Sequence, residues 1–544
     1  MKIGIQNFQG ITDYQEIELA PLTLIYGPNS AGKSTLVDAM KVGADLYEKG
    51  PSAMPVEWIH AKTSAAIPLK KQLDTVLSFN DLCFSCMHLV DVRWMEAADL
   101  QLSCPRYPEV LSVFSDELFD NIDASKVSLS VRMGWSIVRG KLDISEFTAE
   151  LDGVWLFSWR AVDAEPRNGI GRYNKRHRIM AALEAKLNIW ETSLLKLEQT
   201  EDEACFTDFL EGFKGSFFWL WRDAYEREFD NEDPLVELST TILNLFVYLI
   251  NLECNQDSVP PIRPVQIEPI SLSKEKKRSC ADFRDPWREV ANTVLEEYLS
   301  RDDLSRAGGL KALERFCADV DGKRSEALHN DYVSINEILL SPQFFDTGFT
   351  LTGDIQIVLD TQALERVVAA KESDRKAVLY DVAEFMITPK LHDHRRNMDV
   401  AIHDVGAGIS QIIPVIVASR FPRAHIQQPE LHLHPKMQAR IADIFIQRMN
   451  TVVLRGEEHR YLLETHSELL VLRVLRRIRE TRRADIKSKR FSLTPDQVSV
   501  LYVDRSGQGV TTFKRLRISP EGEFLDRWPD GFFAERDAEL FDDE

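Results

Sequence analysis

The chain has 544 residues, 44% of them hydrophobic, and a formal net charge of −20. That length accommodates two or three domains with ordinary apolar cores, and the negative balance excludes a protein that is basic all over and coats nucleic acid. Seven cysteines without framework spacing exclude a disulfide scaffold and fit a reducing compartment.

The start, Met1-Lys2-Ile3-Gly4, lacks a signal-peptide pattern. The most apolar helical stretch, Ile242 to Leu252, is interrupted by Asn244 and Asn251 and is too short to cross a bilayer. A cytoplasmic protein with no membrane partner is therefore expected.

Lys2 to Phe8 and Glu16 to Leu19 read as strands. Leu22 to Tyr26 reads as a buried strand, and Ser34 to Tyr47 as a helix. Between them stands Gly27-Pro28-Asn29-Ser30-Ala31-Gly32-Lys33-Ser34, followed by Thr35. This is G-x-x-x-x-G-K-[ST] in strand–loop–helix context, where backbone N–H groups cradle phosphates, lysine reaches the β/γ oxygens and a hydroxyl holds Mg²⁺. The pattern predicts ATP or GTP binding.

Cys83-Phe84-Ser85-Cys86 is a lone C-x-x-C with His88 nearby and no second pair to complete a zinc site, so it reads as core thiols on a strand. Val127 to Met133 and Val154 to Trp159 continue the β-rich block 1–165. From 166 to 385 the pattern is mostly helical. Met180, Leu183, Leu187, Trp190, Leu194 and Leu197 follow three–four spacing over a stretch too short for a coiled coil, and Phe217, Phe218, Trp219 and Trp221 read as packing.

Alternating strands and helices return over 386–544. His392-Asp393-His394 and His403-Asp404 read as loop histidines rather than a metal site. Asp404 to Gln411 is a glycine-rich turn feeding an apolar helix, Ile412 to Ala418. A strand end follows in Ala424-His425-Ile426-Gln427-Gln428-Pro429-Glu430, then Leu431-His432-Leu433-His434-Pro435. Tyr461 to Glu464 and Gln497 to Val503 read as buried strands, the first running into Thr465-His466, and a hairpin leads from the second through Asp504 to Gly507 into Thr511 to Leu516. Between these strands, Arg473 to Arg490 carries nine Lys/Arg against Glu480 and Asp485. It reads either as a solvated helix face or as a contact for a phosphate backbone or acidic partner. The last residues, Glu521 to Glu544, hold ten acids and two basic residues.

Taken in order, these motifs resemble the ABC-type ATPases of the SMC, RecF and OLD clan, often called AAA-family ATPases. The likeness covers about 1–165 and 386–544. In it Gly406, Gly408, Ser410 and Gln411 resemble the signature turn, Ile426 to Glu430 Walker B, His432 to Pro435 the D-loop region, and His466 the switch histidine. Gly522 to Phe533, with Trp528-Pro529-Asp530-Gly531-Phe532-Phe533, resembles a tail box of one bacterial branch.

The resemblance implies an α/β ABC-type ATPase head of mixed sheet and flanking helices, split by the largely helical 166–385 insert. It implies ATP and Mg²⁺, the latter held by Ser34 and Gln427, and a head-to-head dimer or higher homo-oligomer in which Gly406 to Gln411 act on the partner's nucleotide. It further implies a separately encoded effector such as a nuclease, as in anti-phage defence modules. A DNA-repair ATPase touching DNA through Arg473 to Arg490 is the alternative, as is an ATP-bound scaffold that does not hydrolyse.

That scaffold reading follows from a departure. Gln427 stands where the family has a carboxylate for the Mg²⁺ shell, and Gln428 stands where Glu often activates water. Amides neither accept a proton usefully nor supply charge. Glu430 and Glu464 are the nearby carboxylates able to compensate. From the sequence, Gln427 is open to reading as an engineered change or as a natural loss.

Overall fold

The computed structural model describes residues 1–49, 82–90, 112–113, 127–138, 141–162, 165–192, 197–199, 203–207, 258–261, 270–271, 335–358, 360–450, 459–483 and 489–527. Within 234–242, 371–383 and 506–509 it does so in part. The aromatic cluster 217–221, most of 242–252 and the tail box 528–533 lie outside these residues. The chain divides into two compact units, one of 1–20, 25–256 and 499–516, the other of 21–24, 257–498 and 517–544.

In the first unit β1 (Lys2–Gln6) and β2 (Gln15–Glu18) form a hairpin; β3 (Leu22–Tyr26), wholly buried and counted with the second unit as far as Leu24, leads to helix α1 (Lys33–Lys49) of the first. There follow β4 (Leu82–Val90), β5 (Val127–Val138), β6 (Lys141–Leu151), β7 (Val154–Val162), β8 (Glu165–Asn174), helix α2 (Arg178–Leu187), β9 (Leu197–Gln199) and β10 (Glu203–Thr207). One nine-stranded sheet runs β2-β1-β4-β5-β6-β7-β8-β10-β9. Its register sets Phe147 opposite Trp159 and Phe157 opposite Tyr173. Aromatic contacts then cross the strands, with ring centroids 5.3 Å apart for Phe147–Phe157 and 5.6 Å for Phe157–Tyr173. Such cross-strand pairs fix register as well as burying area.

The sheet passes residue 165 without interruption, because β8 pairs with β7. The described part of 166–385 therefore contributes strands as well as helices. The run of apolar residues from Met180 is not one helix: α2 buries Met180 and Leu183 and stops at Asn188, whose left-handed φ of 47° caps it, while Leu197 begins β9. Asparagine tolerates that backbone region, and the cap breaks the helical period. Cys83, on β4, is buried as a free thiol, and burial pushes its pKa up.

In the second unit β11 (Ser258–Val259), β12 (Ile270–Ser271), β13 (Phe349–Val358), helix α3 (Thr361–Ala369), β14 (Glu384–Asp393) and β15 (Met398–Ala401) precede helix α4 (Ala407–Ala418). Then come β16 (Arg423–Gln427), helix α5 (Pro435–Met449), β17 (Arg460–Thr465) and helix α6 (Glu468–Arg482). β12, β13 and β15 each pair antiparallel with β14. β11, β16 and β17 are parallel, with α5 as the crossover between the last two. A parallel pair needs such a crossover, and its strands are buried on both faces, which explains the apolar Tyr461-Leu462-Leu463 run. Finally β18 (Val498–Arg505) and β19 (Thr511–Leu516) form the expected antiparallel hairpin, counted almost wholly with the first unit. The fold class is α/β with mixed sheets and helices, and its phosphate loop joins a buried strand to a helix, as an ABC-type P-loop ATPase head requires. No described helix is long and apolar enough to cross a membrane.

Ahead of β17, His459 is buried and stacks on Tyr461 with ring centroids 5.9 Å apart. Burial first, and then the charges of Arg448 and Arg423, lower its pKa from 6.5 to about 4. The unfolded chain thus binds a proton below about pH 6.5 that the fold refuses until about pH 4, so stability falls as pH drops across that window and is unaffected above it. We expect acidification from pH 7 to 4 to lower the thermal midpoint, with His459→Phe flattening the fall. His177, lowered to about 4 chiefly by burial, contributes in the same sense.

Candidate functional site

The phosphate loop lies in the first unit. Gly27 (φ 155°) and Gly32 (φ 99°) bracket it, and Ser30 takes φ 62°. A Cβ on Gly27 would lie 2.2 Å from the Val503 carbonyl oxygen of β18, and one on Gly32 2.8 Å from Thr511 Oγ1 of β19. Both glycines are therefore demanded by close packing under the hairpin as well as by dihedral angle. Pro28, Asn29 and Ser30 are exposed, Ala31 is buried and Ser34 is half-buried. Lys33 is buried, its Nζ donating to the carbonyls of Gly27 at 3.0 Å and Pro28 at 2.8 Å.

Thr35 donates from Oγ1 to Gln9 Oε1 at 2.6 Å, and Gln9 Nε2 donates to Asp38 at 2.9 Å. Thr511 donates its hydroxyl to the Ala31 carbonyl at 3.1 Å and its N–H to the Gly10 carbonyl at 2.7 Å. Arg505 Nη1 reaches the Ser30 carbonyl at 3.3 Å. Gln9, Arg505 and Thr511 escaped sequence reasoning, since their partners are distant in the chain; left-handed Asn7 (φ 55°), a residue suited to tight turns, is the local signal near Gln9.

The other motifs gather in the second unit. Gly406 is the N-cap of α4, and Ser410 Oγ bonds back to the Ala407 carbonyl at 3.0 Å. A Cβ on Gly406 meets open space, whereas one on Gly408 would lie 2.9 Å from the His432 carbonyl oxygen. The signature turn thus rests against the loop after β16, where His432 itself takes φ 63°. Gln411, one residue past Ser410 in α4, is half-buried.

β16 and β17 end side by side, with Gln427 opposite Glu464. Glu464 is buried and accepts from His425 Nε2 at 2.7 Å and from Gln427 Nε2 at 3.4 Å. Ser258 on β11 stands 2.8 Å from His425 Nδ1. Gln428 has a left-handed backbone (φ 44°) and donates its N–H to the Glu464 carbonyl at 2.7 Å. Glu430 is buried and accepts the His466 N–H at 2.7 Å. Ser467 caps α6 and donates to Gln438 Oε1 at 2.8 Å, while Gln438 Nε2 donates to the Leu433 carbonyl at 2.9 Å.

The sequence-predicted Gln427, Gln428, Glu430 and His466 therefore stand together, with Glu464 among them. Among the described residues no group of three or more His, Cys, Asp or Glu is gathered to hold a metal ion. A Mg²⁺ that relies on nucleotide oxygens and water does not need one.

The basic stretch is largely committed within the chain. Arg477 makes a bidentate pair with Asp443, 2.7 and 2.9 Å, and bonds Glu480 at 2.7 Å. Arg473 stands 3.8 Å from the same Asp443, whose side chain is 1% exposed. Arg476 pairs with Glu480 at 2.7 Å and Arg490 with Glu337 at 3.3 Å, while Arg479 bonds the carbonyls of Glu521 and Gly522. Arg482 and Arg483, at the end of α6, are exposed. The histidine clusters stay local, His392 Nδ1 lying 2.9 Å from Asp399 and His403 3.6 Å from Asp404.

Residues 2–75, which include the phosphate loop, match the family model described as an AAA domain. Residues 493–542 match the model described as a protein of unknown function (DUF3696). No curated protein matches the chain. Similar solved structures include the SmcHead bound to the C-winged helix domain of ScpA, 11% identical over 95% of this chain and 97% of that one, with a TM-score of 0.33. The Smc head domain with an extended coiled coil bound to the C-terminal domain of ScpA, derived from Pyrococcus furiosus, is 14% identical over 95% and 96% with a TM-score of 0.31. The SMC head domain from Thermotoga maritima is 8% identical over 95% and 98% with a TM-score of 0.32.

Two outcomes follow from these contacts. Ala for Gly inside a helix normally stabilises, yet Gly408→Ala is expected to lower the thermal midpoint because backbone must move, whereas Gly406→Ala changes stability by less than about 0.5 kcal/mol. Arg477→Ala leaves Asp443 buried against a distant Arg473 and is expected to cost about 3 kcal/mol in chemical denaturation. Arg476→Ala, which breaks a surface pair, is expected to cost less than about 1 kcal/mol.

Proposed function

We propose that the chain is an SMC-like ABC-type ATPase that binds Mg²⁺-ATP at the Gly27 to Ser34 loop, dimerises head to head on the nucleotide and gates a partner effector. The observation that carries the reading is the loop itself: a glycine-bracketed turn between a buried strand and a helix, with the Lys33 ammonium buried against the loop's own carbonyls. A nucleotide's β/γ oxygens replace those carbonyls as the acceptors of a charge already held in place.

The roles follow from chemistry. Loop N–H groups and Lys33 neutralise phosphate, and the Ser34 hydroxyl ligates Mg²⁺. α4 presents the first-turn N–H groups of its N-terminus, with Ser410, to the γ-phosphate held by a second copy, so ATP bridges two subunits and hydrolysis releases them. Glu430, by accepting the His466 N–H, fixes the main chain of the residue that matches the family's switch histidine. The bound Mg²⁺ supplies charge neutralisation of the transferring phosphoryl group.

A non-hydrolysing scaffold is the second reading, favoured by the two amides, Gln427 and Gln428, at the end of the strand that would carry the base. DNA binding through the basic stretch draws less support, because Arg477 and Arg473 hold Asp443. An anti-phage setting and a nuclease effector rest on the resemblance of the ordered motifs and the tail box.

The test is ATP affinity and ATP-dependent dimerisation. Lys33→Ala is expected to weaken ATP binding at least about tenfold. Ser410→Arg, placed at the signature turn, is expected to leave binding intact and abolish the ATP-dependent dimer in sedimentation. ATP affinity indifferent to Lys33→Ala would sink the reading.

A further inference from the structure

Within the first unit the phosphate loop is braced from the far end of the chain. Arg505 and Thr511 are a registered pair of the β18–β19 hairpin, so their side chains leave the same face of it. They meet successive carbonyls of the loop, Arg505 Nη1 at 3.3 Å from that of Ser30 and the Thr511 hydroxyl at 3.1 Å from that of Ala31. Both residues lie in 493–542, the stretch that matches a family model of unknown function, whereas the loop lies in 2–75.

Thr511 is fixed on every side. It is 2% exposed, its N–H donates to the Gly10 carbonyl at 2.7 Å, and its own carbonyl accepts Gln15 Nε2 at 2.8 Å. Gln15 Oε1 in turn accepts the Phe513 N–H at 2.9 Å, so one amide grips β19 at two points. Two glycines make room for the hydroxyl: a Cβ on Gly10 would fall 2.4 Å from Thr511 Oγ1, and one on Gly32 2.8 Å from it. Arg505 is exposed, and among the described residues its guanidinium meets no carboxylate; its other hydrogen bond runs from Nε to the Gly509 carbonyl at 3.3 Å. In a chain of net charge −20, a guanidinium held on two neutral carbonyls is placed rather than neutralised.

A peptide group is planar, so its C=O and its N–H point opposite ways. Holding the Ser30 carbonyl therefore fixes the Ala31 N–H, which closes the loop on the Pro28 carbonyl at 3.4 Å, and holding the Ala31 carbonyl fixes the Gly32 N–H. N–H groups at the start of a helix are what an anion meets there. The positive charge on the Ser30 carbonyl also polarises that peptide and offsets the cost of its left-handed φ of 62°.

We propose that Arg505 and Thr511 are positioning residues for the phosphates of the nucleotide, and that the hairpin carrying them is a functional part of the nucleotide site. The inference deepens the nucleotide reading above and rests on it.

The experiment titrates ATP and, separately, inorganic tripolyphosphate into the full chain and its variants by calorimetry, with thermal midpoints alongside. Arg505→Ala is expected to weaken both ligands about fivefold at unchanged stoichiometry and unchanged thermal midpoint. Thr511→Val, of similar size but without the hydroxyl, is expected to weaken both about tenfold, whereas Thr511→Ser binds as the unchanged chain does. Arg515→Ala breaks the pair with Glu18 at the open end of the same hairpin and is expected to leave both affinities unaltered.

Stoichiometry separates positioning from folding, since a destabilised hairpin lowers the number of competent sites and a displaced N–H lowers the affinity of every site. Unaltered affinity in both Arg505→Ala and Thr511→Val overturns the proposal. So does a fall in stoichiometry alone, an equal loss in Arg515→Ala, or a loss confined to ATP with tripolyphosphate unaffected. Equal ATP affinity with and without Lys33 defeats the nucleotide reading itself. Loss in Lys33→Ala with none in Arg505→Ala or Thr511→Val defeats the present inference alone.

Discussion

A buried carboxylate has to be met by donors, and in the second unit that demand from Glu464 organises the strand ends. Its side chain takes the ring of His425 and the amide of Gln427, and its main-chain carbonyl takes the N–H of Gln428. Each donor comes from β16 or the residue just past it, so β16 cannot slide along β17 without leaving a charge buried and unmet, a cost of several kcal/mol. Gln428 accepts a left-handed backbone as the consequence. The chain thereby turns so that Glu430 meets the His466 N–H. One polar constraint thus sets register, turn and the approach of His466.

The phosphate loop obeys a different constraint. There what must be controlled is how closely backbone approaches backbone. Gly27 under Val503 and Gly32 under Thr511 leave no room for a Cβ. The hairpin that closes over the loop comes from the far end of the sequence, and Thr511 joins both the Ala31 and Gly10 carbonyls. The loop is thereby stiffened by the side chains of Thr511 and Arg505, which hold its carbonyls.

How much of this was legible depends on whether the deciding contact is local. The strand–loop–helix at Leu22 to Lys49 was readable because glycine spacing, a buried strand and a helix follow one another within a few residues. The parallel strand at 460 was readable from its continuous apolar run, the one at 423 only as a short strand end, and the 498–516 hairpin from its turn residues. The apolar row from Met180 to Leu197 misleads as a single period, since a left-handed Asn188 ends the helix, Trp190 falls in a separate helical turn at Ile189–Thr192, and Leu197 begins β9. Gln427 and Glu464 stood out in the sequence, but His425 as the partner of Glu464, with Ser258 behind it, carries no sequence signal.

The basic stretch shows the same division between composition and contact. Nine cations in eighteen residues look like a surface for polyanions when the two acids within the stretch are the only ones counted. In the fold Glu480 answers Arg476 and Arg477, and further acids come from elsewhere: Asp443 from α5 and Glu337 from a distant segment. Arg477, fork to fork on a buried carboxylate and over the ring of Phe491 at 4.6 Å, is a packing residue whose charge is already answered. Arg482 and Arg483 sit at the C-terminal end of α6, where a helix dipole favours cations whether or not a ligand exists. With a net charge of −20, most arginines of this segment answer carboxylates of the chain itself. A partner recognised by charge on this face has to engage the two arginines at the helix end rather than the row as a whole.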